Sequence, residues 1–291
     1  MKEILYSFII PHHNCPFLLN RCINSIPQRE DIQIIVVDDN SEDDKKPFIS
    51  DRSDVDIIYI DKNETKGAGH ARNVALLKAK GKWLLFADAD DFYKEDFIYV
   101  LDKYKDSSYD IVYLNFEYRD GVTLELLPDL PFKKSFDLYD GSQNLKDEIR
   151  FHHNVPWTKM IAKSYVDNHN IYFEEVPNGN DILFSMLSGY FTNNITVVKE
   201  PVYVYLRNIN SISTALIKPT SFYLCKNAHR IKQNAFYTYI GYSIWKKSLI
   251  RLIIFNVRKS SIKLFIELFI VFPKLFYSRN EWINIVKSHE K

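Results

Sequence analysis

The chain has 291 residues, of which 46% are hydrophobic and 26% charged, so it can bury a core of one large α/β domain plus a smaller appendage and is not a disordered tail. Its formal net charge of +1 hides an asymmetry: residues 221–291 hold thirteen Lys/Arg against three Asp/Glu, and residues 1–220 hold 25 against 34. An acidic body with a basic tail directs attention to a polyanionic surface near the C-terminus, nucleic acid or anionic lipid.

The segment "YSFIIPHHN" reads as a buried strand ending at Pro11. The N-terminal apolar stretch is short and is stopped by Pro11 and two histidines, unlike a secretory signal. "FLLNRCINSI" puts Leu18, Leu19, Cys22, Ile23 and Ile26 on one helical side. Three cysteines, Cys15, Cys22 and Cys225, are odd in number and lack metal-type spacing, which points to free thiols in a reducing compartment. "IQIIVVDDNSEDD" is a second strand, apolar on both faces as a covered parallel strand must be. "VDIIYID" is a third strand, and "GAGHARNVALLKAKG" predicts a helix that opens on glycines and stops at Gly81. "KWLLFADADD" is a fourth strand, followed by a helix over about 94–104 and a strand at "YDIVYLNFEY". Strand–helix–strand at these intervals predicts an α/β, doubly wound, mostly parallel sheet.

Beyond residue 120 the alternation fades. "LPDLPFKK" reads as a loop, "VPWTKMIAKSYVDNHNIYF" as a strand and a short helix, and "NGNDILFSMLSGYF" as a helix with Asp181 in its first turn. "ITVVKEPVYVYLRNINSIS" predicts two short strands and a polar loop. No run of about 18 uninterrupted apolar residues occurs, which argues against a spanning helix. These features place the expected workplace in the cytoplasm.

Ligands of doubly wound sheets bind beyond the carboxyl ends of the strands. Three polar clusters fall on that predicted edge: "PHHN", "DDNSEDD" and "DADDF". Asp88 and Asp90 sit where a strand breaks into a loop, and two such carboxylates can hold a hard divalent cation together with a diphosphate. Mg²⁺ and Mn²⁺ suit that donor set, whereas a turn capped by aspartates is the plain alternative. Gly67 and Gly69 let the backbone turn close to a ligand, but their spacing is not that of a dinucleotide fingerprint.

"VVDDNSEDD", "GAGHARNVAL" and "WLLFADADDF", in this order and spacing, resemble the family 2 glycosyltransferases of the GT-A fold, of the bacterial surface-polysaccharide type. "FIIPHHN" looks like that family's opening strand, "NGNDILF" like its G-E/N-D segment, and "YVYLRNINSIS" like its Y-R-x-x-x-S-x-S segment. The resemblance covers roughly residues 4–215 and implies a metal-dependent, inverting transfer of a hexose or N-acetylhexosamine from a UDP-sugar. It implies that Pro11 and His13 lie along the base, and that Asp39 hydrogen-bonds uracil or ribose. Asp38 shapes the turn, Asp88 faces the ribose side, and Asp90 faces a Mn²⁺ or Mg²⁺ ion. Asp91 shares one of those roles or caps the next helix. Arg72 is expected near the nucleotide or in support of the site, with a helix-face salt bridge as the alternative. Asp181 is the expected base; Asn180 stands where many relatives have Glu, so the pair keeps one carboxylate. Trp157 and Lys159 are weaker candidates for the acceptor side, with a core role for Trp157 equally open. Arg207 and Ser211 are candidates for a loop over the diphosphate.

The tail changes style. From residue 221 it mixes aromatic and aliphatic residues with Lys246, Lys247, Arg251, Arg258, Lys259, Lys263 and Lys274, the composition of basic amphipathic helices lying on an anionic leaflet. Packing on the catalytic domain or a homodimer contact is the alternative. The expected division is therefore a catalytic domain over 1–220, with a nucleotide-sugar half (1–115) and an acceptor half (116–220), and a basic helical region over 221–291. An acceptor glycan carried on a polyprenyl diphosphate at the inner membrane face completes the picture. No nucleic-acid recognition motif supports RNA or DNA as partner. Two rivals remain. A sugar nucleotidyltransferase needs a glycine-rich basic loop after its first strand, which "PHHNCPFL" lacks. A non-catalytic scaffold of the same fold has no chemical need to keep Asp39, Asp88, Asp90 and Asp181 together.

Overall fold

A computed structural model describes residues 3–49, 52–61, 67–176 and 178–208, and a few residues of the tail, chiefly 279–289. The chain divides into two compact units, Met1–Leu216 and Ile217–Lys291. In the second, the helix Arg279–His289 is described; the remainder of the predicted basic helices, and Ser211 in the first unit, lie outside the described residues.

The first unit is built on an eight-stranded sheet in the order β3-β2-β1-β4-β7-β6-β8-β5. The strands are β1 (Tyr6–His12), β2 (Ile32–Asp38), β3 (Val55–Tyr59), β4 (Trp83–Phe86), β5 (Phe92–Tyr93), β6 (Ile111–Asp120), β7 (Lys159–Ala162) and β8 (Ile195–Arg207). The half made of β3, β2, β1 and β4 is all parallel. β7 runs antiparallel between β4 and β6, and β6 pairs parallel with β8. All seven residues of β2 are buried, as a central parallel strand with both faces covered requires. Among the described residues this unit also holds helices α1 (Pro16–Asn24), α2 (Ala68–Leu76), α3 (Phe97–Asp102), α4 (Lys134–Leu138), α5 (Gln143–His152), α6 (Lys163–Asn168) and α7 (Asn180–Tyr190).

Five local expectations change, each for a physical reason. β1 runs through Pro11 to His12 because β4 stops pairing at Ile9, so the missing Pro11 N–H faces no strand on that side. α2 ends at Leu76, short of Gly81. The Gly81 amide instead donates to Ser7 Oγ at 2.8 Å, and a Cβ there would meet the Ser7 nitrogen at 2.5 Å; the glycine serves contact with β1, not a helix cap. α3 is shorter than predicted, and the loop "LPDLPFKK" contains a 3-10 turn, Pro131–Lys133, that feeds α4. The two short strands after residue 194 are one strand, β8, with a bulge that places Pro201 opposite Asn115. Asn115 fills the gap by donating to the Lys199 carbonyl at 2.6 Å and accepting from the Phe116 amide at 2.8 Å.

Candidate functional site

The polar clusters meet at the carboxyl ends of β1, β2 and β4. His12 is buried and donates through Nδ1 to Asp38 at 2.7 Å. Asp38 also accepts from Ser41 Oγ at 2.5 Å and from the Ser41 amide at 3.2 Å, so it does shape the turn. His13 is exposed and its Nδ1 donates to the Asp39 carbonyl at 2.9 Å. Asp39 is 7% exposed, and among the described residues its buried Oδ1 has no hydrogen-bond partner. A buried carboxylate oxygen left unpaired is costly, which marks Asp39 as waiting for a donor.

Arg72, on α2, is 5% exposed and joins two parts of the site. Its guanidinium donates to Asp88 Oδ1 at 2.6 Å and to Asn180 Oδ1 at 2.8 Å. The Phe173 ring lies 5.3 Å from it. The alternative of a helix-face salt bridge does not form; the guanidinium instead bridges from the end of β4 to the start of α7. Gly67 has φ +84° and opens α2, which bears the turn expected of it. Gly69 approaches protein and not ligand: a Cβ there would lie 2.1 Å from the Glu174 carbonyl oxygen and 2.8 Å from Asn180 Cβ.

The three aspartates after β4 part company. Asp88 is partly exposed and held by Arg72. Asp90 accepts from Asn208 Nδ2 at 2.8 Å, and its carbonyl accepts from Arg21 at 2.8 Å. Burial, then the Asp88 charge, pushes the Asp90 carboxyl up from its ordinary value. Asp91 is fully buried; it accepts from the Tyr203 hydroxyl at 2.9 Å and the Leu206 amide at 2.8 Å. Asp91 is therefore turned inward and caps no helix, since α3 starts at Phe97 with Asp96 at its cap position. Burial raises its pKa well above the ordinary range, and the two donors offset part of that cost. Tyr203 also accepts from the Asp88 amide at 3.0 Å. One hydroxyl thus fixes the turn carrying Asp88 against its buried neighbour.

Asp181 stands in the first turn of α7, after Gly179 in the left-handed conformation. Burial raises its pKa to about 6, against the lowering pull of Arg72. Lys159 is fully buried, donating to the carbonyls of His153 at 2.6 Å and Val155 at 2.5 Å. Burial drops its pKa to about 7. Trp157 is 3% exposed and stacks at 5.1 Å on both Tyr203 and Tyr205. The acceptor expectation for these two gives way to core roles, the alternative open for Trp157 from the start. Arg207 is paired with Asp120 at 2.9 Å at the far end of β6, which ties it to that strand. Arg21, Tyr203 and Asn208 were not expected; only their contacts with Asp88, Asp90 and Asp91 show their part.

The glycosyl transferase family 2 model matches residues 7–169, a span holding every strand of the parallel half and the turn of Asp88–Asp91. The chain belongs to glycosyl transferase family 2. It is 25% identical over 228 residues to the poly(ribitol-phosphate) β-N-acetylglucosaminyltransferase TarS of Staphylococcus aureus, covering 75% of this chain and 38% of TarS. It is 40% identical over 91 residues, 31% of this chain and 36% of the relative, to the UDP-Glc:α-D-GlcNAc-diphosphoundecaprenol β-1,3-glucosyltransferase WfaP of Escherichia coli. The fold matches the crystal structure of S. aureus TarS 1–349 in complex with UDP-GlcNAc, with a TM-score of 0.58 at 21% identity, over 80% of this chain and 70% of that one. This likeness shows the α/β fold of that family member, the GT-A type. The chain spans well under two thirds of the length of these curated relatives.

Proposed function

We propose that this chain is an inverting glycosyltransferase that moves a hexose or N-acetylhexosamine from a UDP-sugar to a sugar hydroxyl of a lipid-linked surface glycan. The observation that carries the reading is the Arg72 bridge, which sets Asp88 and the α7 start bearing Asp181 on either side of one guanidinium. Donor-side carboxylates and a carboxylate fit to act as base thereby share one site. Names of relatives support the donor and acceptor classes: TarS transfers N-acetylglucosamine to poly(ribitol-phosphate), and WfaP takes UDP-Glc and a diphosphoundecaprenol-linked sugar.

Asp39, with its unpaired buried oxygen, would accept from the uracil N–H or a ribose hydroxyl, with Pro11 and His13 alongside. Asp90 and Asp88 would hold Mn²⁺ or Mg²⁺. The residues fit such an ion: Asn208 orients one Asp90 oxygen, and burial, followed by the Asp88 charge, raises the Asp90 carboxyl, so a cation there would favour its ionised form. Among the described residues no group of three or more His, Cys, Asp or Glu is placed for a metal, so diphosphate oxygens and water must supply the rest of the shell. When bound, the ion offsets the charge that develops on the leaving diphosphate.

Asp181 takes the proton of the acceptor hydroxyl as that oxygen bonds to the anomeric carbon from the face opposite the diphosphate. The carbon–oxygen bond to the diphosphate breaks, and UDP leaves with the electron pair. A base near pKa 6 keeps more driving force for this proton transfer than an ordinary aspartate near 4. The basic residues of 221–291 are assigned to the anionic membrane face; among the described residues no helix is long and apolar enough to cross a membrane. Residues 1–220 are assigned as the catalytic domain. The test is release of UDP from UDP-GlcNAc and UDP-glucose in the presence of a sugar linked to a polyprenyl diphosphate as acceptor, with Asp181→Asn as control. The reading predicts turnover by the wild type and its loss in Asp181→Asn with UDP affinity nearly kept. Near-normal turnover in the variant would remove Asp181 from the base role.

A further inference from the structure

His12 is a buried titratable group that the reaction above does not use. Its imidazole links three segments. Nδ1 meets Asp38 at the end of β2 at 2.7 Å, and Nε2 accepts from the amide of Cys15 at 3.2 Å, where Cys15 precedes the first turn of α1. Because Nε2 faces an N–H, the hydrogen must sit on Nδ1, and a second proton would set donor against donor. Burial accordingly pulls its pKa down, against the raising pull of Asp38. The trio His12, Asp38 and Ser41 has the residue types of a nucleophilic triad but not its geometry. Ser41 Oγ lies 2.5 Å from the carboxylate and 3.4 Å from Nδ1, and Nε2 is taken by the backbone, so no free imidazole nitrogen faces the hydroxyl.

The trio instead sits at the centre of a staple between two loops. Ser41 Oγ also accepts from the Asn14 amide at 2.8 Å, and Asn14 Oδ1 accepts from the Glu42 amide at 2.9 Å. The Asp39 amide donates to the His12 carbonyl at 2.9 Å. Every direction open to the Asp39 carboxylate is thus set by how residues 12–15 and 38–42 lie against each other.

We propose that His12, acting through Asp38 and Ser41, is a positioning residue for the donor nucleotide, holding the two loops so that Asp39 and His13 meet the uridine. The inference rests on the UDP-sugar reading of the site. A site held loosely by even about 1 Å loses function, and loss of one or two net hydrogen bonds at about 1 kcal/mol each corresponds to roughly five- to thirtyfold in affinity.

The test is calorimetric titration of UDP in the presence of Mn²⁺ into the full chain, alongside melting curves, for the wild type, His12→Leu and His12→Asn. The expected result is a Kd about tenfold weaker in His12→Leu. In His12→Asn the side-chain amide can still donate to Asp38, and the expected Kd is within about threefold of the wild type at a similar melting temperature. A folded His12→Leu with the wild-type Kd overturns the inference while leaving the donor site standing; so does His12→Asn binding as poorly as His12→Leu. If His12→Leu fails to fold, Ser41→Ala takes its place, removing the bonds to Asp38 and to the Asn14 amide. Its unchanged Kd would overturn the inference, and a several-fold loss would support it. A wild type that binds no UDP removes the donor reading itself.

Discussion

Tyr203→Phe removes one oxygen and keeps the ring that stacks on Trp157 at an interplanar angle of 13°. The lost hydroxyl donates to Asp91 and accepts from the Asp88 amide. Asp91 is fully buried and keeps the Leu206 amide as its remaining donor. A hydrogen bond to a buried carboxyl whose burial favours the neutral form is worth about 1 kcal/mol, and a stranded amide adds about 1 kcal/mol, so the variant should lose about 2 kcal/mol of stability. Urea unfolding should show a lower midpoint with an unchanged slope. The double variant Tyr203→Phe/Asp91→Asn should lose less than the sum of the single losses, because the carboxylate that needed the hydroxyl is gone. A loss below about 0.5 kcal/mol in Tyr203→Phe, or strict additivity in the cycle, would refute the view that this hydroxyl holds Asp91 and the Asp88 turn.

The remaining predictions concern the base, a glycine and the uridine contact. Since the base must be ionised, turnover should fall as pH drops through about 6, the raised value of Asp181, and a limb near 4 would remove burial as its tuning force. The same shift has a stability consequence. The folded chain holds this proton more tightly than the unfolded one, so stability falls as pH rises from about 4 to 6, by no more than about 3 kcal/mol. Asp181→Asn should flatten that window in a series of unfolding curves. Gly69→Ala forces a Cβ to within 2.1 Å of the Glu174 carbonyl oxygen; it should cost about 1–3 kcal/mol by overpacking, seen as a lower melting temperature and a weaker Arg72–Asn180 link. Asp39→Asn should weaken UDP binding at least several-fold without lowering the melting temperature, since among the described residues Oδ1 has no donor to lose.

Much of the parallel half was legible in the sequence, because apolar runs rich in β-branched residues, such as Ile34–Val37, admit few other readings. The clusters at strand ends were legible for the same topological reason. What each aspartate does was not. Asp88, Asp90 and Asp91 look alike in a row, and which of them turns inward is decided by Tyr203 and Leu206, more than a hundred residues on. Trp157 was read as open between the acceptor side and the core, and Lys159 as a weaker acceptor-side candidate; packing on Tyr203 and Tyr205 and the carbonyls of residues 153 and 155 absorb them. Gly69 was read as a turn residue and Gly81 as a helix stop; their need is close approach to a neighbouring segment, which spacing along the chain does not encode.

The most direct measurement is titration of the purified chain with UDP, with and without Mn²⁺, and with GDP as control. UDP binding that requires the ion, weakens in Asp90→Ala and is not matched by GDP is the predicted result. Failure of a folded chain to bind UDP, or binding indifferent to both the ion and Asp90, would contradict the assignment of the Asp88–Asp90 turn as a metal–diphosphate site.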